Sequence, residues 1–101
     1  GVLKFNAVDP WAAKKYAQLL PFLFPNENLE KSDQTLTSIF IENLVNLSSD
    51  LKLPQKLREL DIPKDACSSM AKDAMKQTRL LVNNPRELNE KDAFDIYSSI
   101  W

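Results

Sequence analysis

Few side chains in this sequence could carry out covalent or proton-transfer chemistry. The candidates are one thiol, Cys67, the acids Glu87, Glu90, Asp92 and Asp95, and Arg86 in the run Asn84-Pro85-Arg86. A thiol attacks only as the thiolate, which needs a nearby base or cation. Cys67 instead falls on an apolar helical stripe and reads as a buried, inert thiol. The acids could gather a cation. Glu90 and Asp92, however, follow Asn89 at the spacing of a helix N-terminus, where carboxylates complete a capping box and offset the dipole. Arg86 could fork onto a carboxylate or phosphate. The favoured reading is that Asn84, Pro85 and Arg86 fix a loop.

Two absences narrow the chemistry further. There is no histidine, so this chain cannot by itself build an imidazole-held zinc or iron site, nor use histidine as a catalytic base. The only glycine is Gly1. Phosphate cradles need glycine for close backbone approach and for positive φ, so neither a P-loop nor a dinucleotide fingerprint can be written here. Thirteen basic and 14 acidic side chains leave a net charge of −1, which argues against nucleic acid as a partner. No apolar run approaches the ~20 residues of a membrane span, and no secretory leader is expected. A lone cysteine fits a reducing compartment, so the expected location is cytoplasmic.

The elements that must position these residues read as helical throughout. With 44% hydrophobic and 27% charged residues, the chain has the balance of a folded globular protein. Residues 1–101 are expected to form a single all-helical domain, a bundle of about four main helices plus a short one. Asp9 caps the first main helix and Pro10 occupies its first position; Pro21 is expected to end it. Ser32 or Asp33 caps the second. Its stripe of Leu36, Ile39, Phe40, Leu44, Leu47 and Leu51, widened by Ile41 and Val45, predicts a central helix. A short turn is expected over Gln55 to Leu60. Pro63 should open the third long helix, whose face is Cys67, Met70, Ala71, Ala74, Met75 and Thr78. Asn83-Asn84-Pro85 breaks that helix. Asn89 caps the last, whose buried face is Ala93, Ile96, Tyr97, Ile100 and Trp101. Trp11 and Trp101 read as packing residues.

Several stretches carry a family resemblance. The run Ala74-Met75-Lys76-Gln77-Thr78-Arg79-Leu80-Leu81-Val82-Asn83-Asn84-Pro85-Arg86-Glu87 resembles the C-terminal end of iron-dependent alcohol dehydrogenases. So do Asn89 to Ala93, Ile96-Tyr97 and Trp101, the upstream Leu53 to Leu60, and the opening Val2 to Asn6. Asp61 stands where a helix-ending glycine is common in that family, and the connection from Pro21 to Asn28 is longer than the family's.

The resemblance implies a C-terminal fragment of a two-domain enzyme. The parent would use iron (or zinc) and NAD or NADP, and its metal ligands, one Asp and three His, would lie before Gly1. No cofactor is expected in this chain. Its partner would be the remainder of the enzyme, with self-association through an exposed apolar face when it stands alone. In the family's arrangement Leu80, Leu81 and Val82 lie near the substrate, with Leu80 nearest. They are thus candidates to line the alcohol pocket, although as residues alone they read more readily as packing. The alternative at this point is a free-standing helical interaction module without catalysis.

Overall fold

A computed structural model describes all 101 residues, Gly1–Trp101. It is all-helical. The helices are α1 (Val2–Asn6), α2 (Pro10–Leu23), α3 (Asp33–Asp50), α4 (Ala66–Ala74), α5 (Thr78–Leu81) and α6 (Glu90–Ser99), with a 3₁₀ turn at Leu57–Leu60. None is long and apolar enough to cross a membrane. The chain divides into two compact units: Leu3–Leu53, and Pro54–Trp101 joined by Gly1–Val2.

The first unit is organised by α2 and α3. The Asp9 carboxylate accepts the Ala12 amide at 2.9 Å, satisfying one of the orphan donors at the start of α2. Ser32 does the same for α3, accepting from Thr35 at 3.2 Å. Between them, Ala17, Leu20, Leu36, Phe40 and Ile41 form the buried core. Phe40 stacks on Tyr16 and meets Phe24 edge-on. The buried Thr37 hydroxyl donates to the Ala13 carbonyl at 2.6 Å, so burial leaves that hydroxyl satisfied. Ala13 meets Thr37 and Tyr16 meets Phe40. These contacts ascend both helices in the same sense, because the connector Phe24–Ser32 returns the chain before α3 begins.

Four expectations need correction. Pro21 does not end α2: the helix continues to Leu23, and the Phe24 amide closes its last turn on the Leu20 carbonyl at 2.8 Å. A proline in a last turn forfeits one helical bond, and the fully buried Leu20 anchors that turn. The stripe of α3 is buried only in its first half; Val45, Leu47 and Leu51 are exposed, since the first unit offers nothing to cover them. The third long helix does not run from Pro63 to Thr78. It is the nine-residue α4, followed by a turn and the separate α5. Trp11 is not a packing residue: it is 61% exposed, with the Lys15 ammonium 5.7 Å from its ring centroid. The sequence also gave no sign of α1. Its buried Asn6 donates to the Tyr16 hydroxyl at 3.2 Å.

The second unit packs α4 against α6 through small side chains. Cys67, Ala71 and Ala93 are its buried residues. Asn89 and Asp92 form the reciprocal capping box of α6, at 2.9 and 3.1 Å. The end of the chain is tied back. The Trp101 indole donates to the Ile62 carbonyl at 2.9 Å, and the Leu57 amide donates to the Ile100 carbonyl at 3.0 Å. Arg58 and Lys64 lie 5.8 and 5.4 Å from the Trp101 ring centroid, within cation–π range. Asp61 adopts φ 57° and ψ 23°, the left-handed conformation that glycine serves without a Cβ penalty.

Candidate functional site

The capping box of α6 fixes where that helix starts, and so which way its faces point. Ala93, Ile96, Tyr97 and Ile100 then recur at i, i+3, i+4 and i+7 on one side. Opposite them the chain leaves α4 at Ala74 and turns through Met75–Gln77. The Gln77 amide bonds the Ala74 carbonyl at 3.0 Å, and α5 then presents Leu80 and Leu81. Together these residues, with Leu88, Gly1 and Val2, line an open groove of about 420 Å³, within the usual range of small-molecule sites, roughly 300–1,000 Å³. No charged side chain lines it. Gly1 sits tight on α6: a Cβ there would stand 2.9 Å from the Ile96 Cγ2.

Of the three pocket candidates, Leu80 and Leu81 line the groove, Leu81 half-buried and Leu80 61% exposed at its rim. Val82 stands outside the lining and is 77% exposed. The loop after them is built by its asparagines. The Asn84 side chain spans Pro85 to bond the Arg86 carbonyl at 2.5 Å. The Asn83 side chain bonds the Arg79 carbonyl at 2.8 Å, and the Asn84 amide bonds the Leu81 carbonyl at 3.0 Å. Arg86 contributes its backbone carbonyl to this arrangement and is half-buried.

The other candidates lie elsewhere. Cys67 is 1% exposed in the α4–α6 contact. Asp92 is held in the capping box, and Asp95 pairs with Lys91 one turn earlier. That hydrogen bond, helped by the Asp95 charge, raises the Lys91 pKa above its ordinary value of 10.5. Asp73 acts likewise on Lys76. Both pairs lie on the open surface, away from the groove.

Sequence reasoning treated the α6 face as core. Only Ala93 is buried; Ile96, Tyr97 and Ile100 are half-buried and form a wall of the groove. Helical periodicity marks a face that avoids water, but does not say whether protein or ligand covers it. Gln77 and Leu88 were missed as lining residues, and no local signal marks them.

The model of the family described as Fe-containing alcohol dehydrogenase, C-terminal, matches residues 1–101. The chain belongs to that family. Long-chain-alcohol dehydrogenase 1 of Geobacillus thermodenitrificans (strain NG80-2) is 37% identical over 61 residues, which are 60% of this chain. The match spans about 15% of that relative's length. No solved structure matches. Set against the family's iron, the donor set of this chain does not fit: no three His, Cys, Asp or Glu side chains come together. A dinucleotide does not fit either. The only non-glycine residues at positive φ are Lys52 and Asp61, and no glycine adopts one, so no glycine-built backbone cradle for a pyrophosphate exists. What this member of the family does possess is an apolar groove.

Proposed function

We propose that this chain is the C-terminal helical portion of an alcohol dehydrogenase that uses iron or zinc and NAD or NADP. The groove between α5 and α6 forms one wall of its alcohol cleft, with Leu80 and Leu81 lining it and the asparagine-braced loop from Asn83 to Arg86 holding them in place. Metal and nucleotide are bound by residues outside this chain, in the cytoplasmic parent enzyme. The observation that carries this reading is the family match along residues 1–101. An apolar wall without charged side chains also fits the substrate that the relative is named for, a long-chain alcohol.

The apolar side chains that α2 and α3 leave exposed, among them Phe22 at 83%, Leu23, Leu47 and Leu51, are assigned to contact with the remainder of the enzyme. Apolar surface of this kind marks interaction sites, and in the isolated chain it would drive self-association.

The full-length, metal-loaded enzyme should reduce NAD or NADP when given an alcohol, and the isolated chain should not. Two results would contradict the reading: tight, stoichiometric iron or zinc in the isolated chain, or a full-length protein that turns over no alcohol.

A further inference from the structure

We infer that the α6 side of the groove, centred on Ile96 and Ile100, receives the alkyl tail of the alcohol and sets how long a chain the enzyme accepts. This rests on the reading of the groove as a wall of the alcohol cleft, and deepens it. Three observations carry it. The lining is nearly all aliphatic and bears no charged side chain, the chemistry of a hydrocarbon tail rather than of a sugar, an acid or a phosphate. The lining draws on two elements, Leu80 and Leu81 of α5 and Ile96 and Ile100 on the α6 side, and Gly1 lies so near the latter that a Cβ on it would stand 2.9 Å from the Ile96 Cγ2. The two polar side chains in the lining, Gln77 and Tyr97, make no hydrogen bond within the chain. Neither is therefore committed to holding the fold shut.

An alcohol whose carbinol carbon lies beyond α5 would lay its methylenes along α6. Each methylene accommodated or refused in an apolar pocket changes specificity by roughly ten- to 200-fold. A side chain that lengthens or shortens at Ile96 should therefore move the chain-length preference rather than the chemistry.

The test uses the full-length enzyme and the ratio of kcat/KM for 1-tetradecanol to that for ethanol. Ile96→Trp should lower this ratio by about tenfold or more, and Ile96→Ala should raise it or extend it to longer chains. Ile100→Phe is a milder second blockade should the tryptophan disturb folding. Phe94→Ala, on α6 but outside the groove lining, should leave the ratio as in wild type. A ratio unmoved by Ile96→Trp and Ile100→Phe, in variants that remain folded and active, overturns the assignment of the tail while leaving the dehydrogenase reading intact. Wild-type enzyme that oxidises no alcohol overturns both.

Discussion

In Leu3–Leu53 the sealed side chains include large ones, Leu20, Leu36, Phe40 and Ile41, beside the alanines Ala12, Ala13 and Ala17 of α2. In Pro54–Trp101 they are small, Cys67, Ala71 and Ala93, and the large apolar residues Ile96, Tyr97 and Ile100 stand half-covered around open space. The difference follows from what each sequence places opposite its apolar face. Leu36, Phe40 and Ile41 of α3 pack with Leu20 over the alanines of α2 and exclude water. Alanines and a cysteine bring α4 and α6 close, and the larger residues are then pushed to the margin, where they wall a groove. The first unit thus encloses large side chains in a core, while the second encloses only small ones and lines a groove with its larger residues.

The largest effect that could break this comparison is a core truncation. Phe40→Ala should cost ~3–5 kcal/mol, because Phe40 is fully enclosed and contacts Tyr16 and Phe24. Ile96→Ala should cost only about 1 kcal/mol, since the groove already exposes it in part. Chemical denaturation of the two variants checks this, and equal losses would mean that the groove is core. Asn89→Ala should cost about 1 kcal/mol by removing the cap of α6, read as a lower thermal midpoint. Lys52→Gly should act in the other direction. Lys52 has φ 56° and closes α3, its amide on the Ser49 carbonyl and the Leu53 amide on that of Ser48. Relieving the Cβ there should add about 0.5–1 kcal/mol. The smallest effect concerns the exposed Lys91–Asp95 pair. Its lysine holds its proton more tightly in the folded state, so the contribution is complete below 10.5 and is lost as pH rises through the raised value. The small difference in midpoint between wild type and Lys91→Met should therefore vanish at alkaline pH.

Much of the fold was legible because helix starts are written locally. Asp9-Pro10, Ser32 and the Asn89–Asp92 box all cap the helices expected of them. Helix ends were less legible. Pro21 is carried inside α2 by the buried Leu20, and α4 stops at Ala74 although apolar spacing continues to Thr78; tertiary packing decides both. The five-residue α1 has too short a pattern to register. The family resemblance singled out the asparagine loop and Leu80–Leu81, and the two leucines do line the groove. The rest of the groove was not, because Ile96 and Ile100 show the same periodicity as a core face, and Gln77 and Leu88 reach the groove only through the turns that precede α5 and α6.

The most direct test of the central claim is steady-state kinetics of the full-length enzyme with Leu81→Trp, a bulky substitution on the α5 wall of the groove. The account predicts that KM for the alcohol rises by about tenfold, while metal content and KM for the nicotinamide nucleotide stay as in wild type. Unchanged alcohol kinetics in a folded variant, or a loss that falls equally on alcohol and nucleotide, would contradict it.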